Sequence, residues 1–163
     1  GEVEAFRRDL LPRKGQGPTV RADVADMRAR LQAAKPAKGA LEAKNGAGRL
    51  MDIELLAQMC ALIAGSPARG VERQIAAGGK ASILSDSDMT ALLDAYRLLW
   101  RLQAGTRLLT DRALDLGALG EGGRAFLLRE TGEADAAALE ARVEAATALA
   151  AGVVAAHVGA GGA

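Results

Sequence analysis

The sequence is poor in the residue types that build disulfides, metal sites and aromatic binding platforms. It has one cysteine, one histidine and one tryptophan, and aromatic residues make up 2% of its 163 residues. A single cysteine excludes an intrachain disulfide, and Cys60 and His157 are too few and too far apart for a zinc site. Cys60 is therefore interpreted as a small buried hydrophobe, and His157 is expected to complement the C-terminus of the last helix.

The chain also lacks an excess of charge of either sign. The formal net charge is +1, and the basic and acidic residues are dispersed along the chain. We therefore expect neither a nucleic-acid-binding face nor an acidic tail. No export signal is visible and no apolar run has membrane-spanning length, so the sequence predicts a cytoplasmic location without a membrane partner.

Alanine and leucine dominate what is present. Half of the residues are hydrophobic, and small aliphatic side chains favour close packing of helices. We predict an all-α bundle of about six to eight helices, with no strand and no internal repeat. Residues 1–18 are interpreted as a leading helix and linker, residues 19–158 as the bundle domain, and residues 159–163 as a frayed tail.

The helical pattern can be divided by its glycine and proline breaks. The predicted helices are Val3–Leu11, Thr19–Ala34, Leu50–Ala64, a shorter one that ends at Ala77 before Gly78-Gly79, Asp86–Thr110, two short ones around Gly117–Gly123 and Arg124–Thr131, and Asp135–His157.

The stretch Leu41–Gln58 combines a flexible turn, cations and an amphipathic helix. Gly46 and Gly48 allow a tight loop, and a helix begins near Leu50. Its first amides, with Lys44 and Arg49 nearby, could hold the phosphate edge of a nucleotide. The alternative is an ordinary loop before a helix whose early acids complement the dipole. The loop alone favours this alternative, because it matches neither common phosphate-binding pattern.

Two carboxylates open that helix on opposite sides. At about 100° per residue, Asp52 lies in the apolar arc and Glu54 opposite to it, so the two do not form a paired-carboxylate site. Glu54 is expected to be solvated or to face another domain. Asp52 should be desolvated and needs hydrogen bonds or a cation. It either braces the Gly46–Gly48 loop or has a direct role in an active site.

The long helix Asp86–Thr110 carries the candidate partners for Asp52. Gln103 and Arg107 lie in phase with its apolar side, and we hypothesise that Arg107 or Gln103 neutralises Asp52. Alternatively, Arg107 lies at the end of the packed region and reaches water.

The same long helix carries three further features. Asp86-Ser87-Asp88 has a D-x-D spacing, but Ser85 and Asp88 are typical of a capping box. Tyr96 and Trp100, one turn apart, are expected in the core rather than in a stacking platform. Arg97 and Arg101 share a flank that is either solvated or meets an acidic partner.

The motif stretch resembles a segment of glutamine synthetase adenylyltransferases, K-x-G-x-G-G-[LI]-x-D-I-E-F-x-x-Q. The matching residues are Lys44, Gly46, Gly48, Leu50, Asp52, Ile53, Glu54 and Gln58. Arg49 replaces the second glycine of a pair and Leu55 replaces the phenylalanine. Met27–Leu31 resembles the family's M-R-x-R-L, and Leu93–Leu99 resembles the family's helix around A-Y-R-F-L. The resemblance covers about Val20 to Leu109.

The resemblance implies a parent enzyme that transfers AMP from ATP to glutamine synthetase with magnesium, removes it again, and responds to PII signal protein in nitrogen metabolism. In that family a helical domain follows each nucleotidyltransferase domain, whose D-x-D carboxylates are catalytic. No such D-x-D is found here, so we expect no catalytic or metal-binding residue in this chain and no cofactor bound to it. It is interpreted as the C-terminal helical domain after an absent nucleotidyltransferase domain, with Lys44, Gly46, Gly48, Arg49, Asp52 and Glu54 near the nucleotide cleft.

Two alternatives stay open. The chain could be a self-standing helical interaction module whose loop is purely structural. It could also be the related helical domain of a PII uridylyltransferase, although the D-I-E and A-Y-R spacings fit adenylyltransferases better.

Overall fold

The computed structural model describes residues 17–109 and 120–158, with only the backbone for residues 106–109. Within these ranges the chain forms helices and no strand, which confirms the all-α prediction. The helices are α1 Gly17–Ala34, α2 Leu50–Ala64, α3 Val71–Lys80, α4 Asp86–Leu109, α5 Glu121–Thr131 and α6 Ala136–Val158. The helix predicted over Val3–Leu11 and the tail Gly159–Ala163 lie outside the described residues.

Helix α2 is the centre of the bundle. It packs against α1, α3, α4 and α6, and Ile53, Leu56 and Met59 are fully buried. A helix that is apolar around most of its circumference is stable only when neighbours cover it on several sides. Its bounds coincide with the predicted ones, and it ends at Gly65, whose φ of 66° is the left-handed conformation of a glycine C-cap.

The glycine pair Gly78-Gly79 does not end α3 as predicted. The helix continues to Lys80, and both glycines serve as close-contact points. A Cβ on Gly78 would lie 3.0 Å from the Cys60 side chain, and one on Gly79 would lie 2.4 Å from Met89 Sδ. The missing side chains let α3 approach α2 and α4, so this glycine pair serves packing rather than a turn.

The start of α4 confirms the predicted capping box. Asp88 N donates to Ser85 Oγ at 3.0 Å, and Ser85 N donates to Asp88 Oδ2 at 3.1 Å. The D-x-D spacing of Asp86-Ser87-Asp88 is thus part of a helix N-terminus.

The sequence was expected to contain no segment of membrane-spanning length, and helix α6 shows that this expectation is wrong. Among the described residues, Ala136–Val158 is long and apolar enough for a span by length and composition. Its buried side chains nevertheless recur on one face that packs on α4, α2 and α1. They are Leu139, Val143, Thr147, Ala150, Val154 and Val158. This one-sided burial is typical of a bundle helix.

His157 joins three helices near the end of α6. Its Nε2 lies 2.9 Å from Asp88 Oδ2, and its carbonyl oxygen accepts a hydrogen bond from Arg21 of α1. Burial alone would raise the pKa of the Asp88 carboxyl, but hydrogen bonds from His157 and Ser85 outweigh it and lower that pKa. The His157 side chain therefore links the end of α6 to the start of α4 through the Asp88 carboxylate.

The lowered pKa of Asp88 predicts acid sensitivity. Its contribution to stability is complete above the ordinary aspartate pKa of about 3.9 and is lost as the pH falls through the lower folded pKa. We expect the urea midpoint of Asp88→Asn to fall less between pH 6 and pH 3 than that of the wild type. Parallel decreases for the two proteins would contradict the prediction.

Candidate functional site

The loop before α2 is tight and left-handed at two glycines. Gly46 has φ 114° and Gly48 has φ 71°, conformations that side-chain-bearing residues rarely adopt. The predicted loop is therefore present. It turns the chain so that residues 43 and 44 lie beside the first turn of α2.

Two of the amides at the start of α2 are already occupied. Leu50 N donates to the Ala43 carbonyl and Met51 N to the Lys44 carbonyl, each at 3.0 Å. Backbone amides at a helix N-terminus bind anions when they lack partners. These two amides have partners within the loop and are not available to an anion. An anion here would therefore depend largely on side chains such as that of Lys44, which is exposed.

Asp52 is the best-satisfied polar group of the site. It is 4% exposed, as predicted. Its Oδ1 accepts from Arg28 Nε at 2.7 Å, and its Oδ2 accepts from Arg28 Nη2 at 3.1 Å and from Gly48 N at 2.8 Å. The bidentate guanidinium supplies the charge partner that burial requires. Asp52 thus braces the loop through Gly48, as one of the two predicted roles requires.

Arg28 is the residue that sequence reasoning missed. It lies on α1 and is 9% exposed, in phase with the buried Val24 one turn earlier and the buried Val20 two turns earlier. An arginine on an apolar stripe is a signal for a buried ion pair, and it could have been read from the sequence. The side chain of Arg107, the partner hypothesised from the long helix, lies outside the described residues, so the Asp52–Arg107 pair stays a prediction.

Gly48 also brings the loop against α6. A Cβ at this position would lie 2.0 Å from the Thr147 carbonyl oxygen and 2.8 Å from Ala151 N. Only a glycine permits this backbone-to-backbone approach. The loop is consequently held by α1 through Asp52, by the start of α2, and by α6.

The remaining charged residues of the motif differ in exposure. Arg49 is half-buried and donates to the Glu42 carbonyl; burial lowers its pKa, and the negative charge of Glu42 opposes that shift. Glu54 is also partly buried, and burial raises its pKa while Lys44 lowers it. Glu54 is therefore less solvated than expected, and its charge interacts with that of Lys44.

Gln58, the last residue of the motif, is buried at 8% exposure. Its Oε1 has no hydrogen-bond partner among the described residues, and the same is true of Gln74 Oε1. On a helical wheel of α2, Gln58 lies on the same side as Glu54, opposite the apolar arc. It is buried because neighbouring helices cover α2 on several sides.

The expected core position of Trp100 is wrong. Trp100 is 46% exposed, and its Nε1 donates to the Tyr96 hydroxyl at 2.8 Å. Cys60 is fully buried, as predicted, and burial raises its pKa to about 12 although Arg21 opposes the shift. In residues 17–109 and 120–158, no three His, Cys, Asp or Glu side chains form a group able to hold a metal ion.

Comparison with known proteins identifies the family. The sequence model of the GlnD PII-uridylyltransferase family matches residues 20–158, which is most of the chain. The chain belongs to this family. It is also 42% identical over 71 residues to the bifunctional glutamine synthetase adenylyltransferase/adenylyl-removing enzyme of Rhizobium meliloti (strain 1021).

The adenylyltransferase match confirms the resemblance seen in the motif residues. It covers 44% of this chain and 7% of the Rhizobium meliloti enzyme, so the chain matches a small part of that relative. Both comparisons lead to nucleotidyltransferases that modify proteins. This family member is thus related to nucleotidyltransferases, and its fold is the helical bundle described above.

Proposed function

We propose that the chain is the helical domain following the catalytic nucleotidyltransferase domain of a bifunctional glutamine synthetase adenylyltransferase, acting in the cytoplasm in nitrogen-assimilation control. The 42% match to the Rhizobium meliloti enzyme supports this assignment. The parent enzyme would adenylylate and deadenylylate glutamine synthetase and respond to PII signal protein. The bundle would close the ATP cleft of the catalytic domain.

One structural observation carries the proposal. The loop of residues 43–50 is held by the Arg28–Asp52 pair and by α6, yet Lys44 is left exposed at its edge. A rigid loop can present a cation to a ligand without paying the entropy of ordering it. We assign Lys44 the direct contact with nucleotide phosphates. Gly46, Gly48 and Asp52 shape the loop, while Arg49 and Glu54 flank it.

Magnesium and ATP would be bound mainly by the catalytic domain. Asp52 is the buried carboxylate of the loop, and its oxygens already accept three hydrogen bonds, so it is a poor ligand for a hard cation. Among the described residues, no group of three or more His, Cys, Asp or Glu side chains could hold a metal ion. Asp52 is therefore not assigned as a magnesium ligand, and no catalytic step is assigned to the residues of the loop.

Two other functions each have one observation in their favour. The matching family model is that of PII-uridylyltransferases, which favours UTP as nucleotide and PII as protein substrate. The internal hydrogen bonding of the loop favours a self-standing interaction module without a catalytic link. The three functions differ in which nucleotide the parent protein binds and in whether it binds a nucleotide at all.

Calorimetric titration separates them. We expect Mg-ATP to show no measurable binding to this chain alone and clear binding to the parent protein with its upstream domain. In the parent, Lys44→Ala should raise the Kd for ATP about tenfold, the scale of a lost charge-assisted contact. Lys38→Ala is the matched control, because Lys38 is an exposed lysine of the preceding segment.

Each alternative result has a defined meaning. Tight magnesium-dependent binding by the chain alone would refute the assignment of the carboxylates to another domain. Preference of the parent for UTP would favour the uridylyltransferase. A parent without a nucleotide-binding domain would leave the interaction module.

A further inference from the structure

Two grooves lie on either side of one exposed flank of α4. The first, of about 560 Å³, lies between the start of α3 and α4 and includes Arg73 and Trp100. The second, of about 440 Å³, lies between α4 and α6 and includes Arg142 and Leu149. Arg97 and Arg101 line both grooves. We call the two grooves and this shared flank the α4 double groove.

The exposed large hydrophobic side chains of the described residues lie in the double groove. Trp100 is 46% exposed and lines the first groove, and Leu149 is 65% exposed and lines the second. Scattered exposed hydrophobic residues are common on protein surfaces. Here both border the same pair of arginines, which makes a continuous surface of apolar and cationic groups.

The charge of the double groove is unbalanced. Arg73, Arg97, Arg101 and Arg142 line it together with only two carboxylates, Glu72 and Asp94. Arg97 Nε pairs with Glu72 Oε1 at 2.7 Å, and Arg142 Nη1 pairs with Glu133 Oε1 at 2.8 Å.

Arg73 and Arg101 form no ion pair or hydrogen bond with any side chain among the described residues. Two guanidinium groups next to an exposed tryptophan are therefore available to a ligand. Arginine, tryptophan and tyrosine are the residue types enriched in the energetic centres of protein interfaces.

We infer that the α4 double groove docks an acidic segment of the protein substrate. Carboxylates of that segment pair with Arg73 and Arg101, and an apolar side chain packs on Trp100. The two carboxylates within the surface, Glu72 and Asp94, disfavour a nucleic-acid backbone. The Arg97–Glu72 pair is half exposed, so its rearrangement on docking costs little.

The assignment rests on the proposed function, because glutamine synthetase is the substrate in question. The test uses the full-length parent enzyme and the steady-state transfer of AMP to glutamine synthetase. We expect Arg73→Glu and Arg101→Glu each to raise the KM for glutamine synthetase at least about tenfold. The kcat and the KM for ATP should stay within about twofold, because the groove residues touch neither reacting group.

Arg129→Glu is the matched control, since Arg129 is an exposed arginine on α5 outside both grooves. Its KM for glutamine synthetase should stay unchanged. In the wild type that KM should rise with salt, and in Arg101→Glu it should rise less steeply. Thermal melts of all variants check the fold; if a glutamate variant melts early, Arg101→Gln and Trp100→Ala replace it.

If the wild type is active, three results would overturn the docking assignment. The first is an unchanged KM for glutamine synthetase in both variants. The second is a higher KM for ATP, which would make the groove a nucleotide site, and the third is a lower kcat with both KM values intact, which would make the groove an interface between domains. A wild-type parent unable to transfer AMP to glutamine synthetase would overturn the proposed function itself, and the docking assignment with it.

Discussion

Gly48→Ala is expected to destabilise the bundle by about 4 kcal/mol, from the combined cost of a left-handed alanine and an overpacked contact. The φ of Gly48 is 71°, and the added Cβ would lie 2.0 Å from the Thr147 carbonyl oxygen. The Thr147 carbonyl oxygen and the nearby Ala151 N are backbone atoms and not the ends of flexible side chains. The loop or α6 must therefore move. A loss of this size is a large part of the total stability of a domain.

Chemical denaturation measures the effect, and Gly152→Ala is the control. Gly152 lies in the same helix that Gly48 contacts, and nothing is within 4 Å of a Cβ at that position. This substitution should stabilise α6 by about 0.5–1 kcal/mol, the difference in helix propensity between the two residues. A Gly48→Ala variant as stable as the wild type would show that the loop does not pack on α6 as described.

The second large effect is expected at the buried ion pair. Asp52→Ala should cost about 3–5 kcal/mol, because it leaves the Arg28 guanidinium buried without a counter-charge. The Gly48 amide loses its acceptor at the same time. Under the proposed function, the loosened loop should also raise the KM of the parent enzyme for ATP.

A double-mutant cycle tests the pair itself. Arg28→Met combined with Asp52→Leu should be more stable than either single variant, because the uncompensated charge is gone. The control is the Asp26–Arg30 pair on α1, the helix that carries Arg28. Its N–O distance is 3.2 Å, and its side chains are 71% and 70% exposed. Its coupling should be below about 0.5 kcal/mol. Additive losses at Arg28 and Asp52 would refute their pairing.

The same measurement can test the predicted Asp52–Arg107 pair. Arg28 and Gly48 already supply three hydrogen bonds to the Asp52 carboxylate. If Arg107 also contributes, the losses from Asp52→Ala and Arg107→Ala will not be additive. Additivity would leave Arg28 as the charge partner of Asp52.

Local features of this protein could be predicted because they depend on neighbours in sequence. The bounds of α2, the Ser85–Asp88 capping box and the left-handed turn at Gly46 and Gly48 all follow from side chains within one or two turns. The burial of Asp52 followed from helical periodicity, which also required that the carboxylate find hydrogen bonds or a cation.

The identity of that cation depended on which helix packs beside α2. Arg28 lies 24 positions away in sequence, and no periodicity within α2 or α4 could distinguish it from Arg107. The exposure of Trp100 was missed for a related reason. A helical wheel gives the direction of a side chain but not whether a neighbouring helix extends far enough to cover it.

The sequence by itself determined the helices, their caps, the loop and the need to neutralise Asp52, since these depend on backbone propensity and apolar periodicity. Only the tertiary structure decided that Gly78 and Gly79 are contact points, that Gly48 touches α6, and that two grooves share Arg97 and Arg101. The physical reason is that contacts between helices depend on their crossing geometry, which residues distant in the chain establish together.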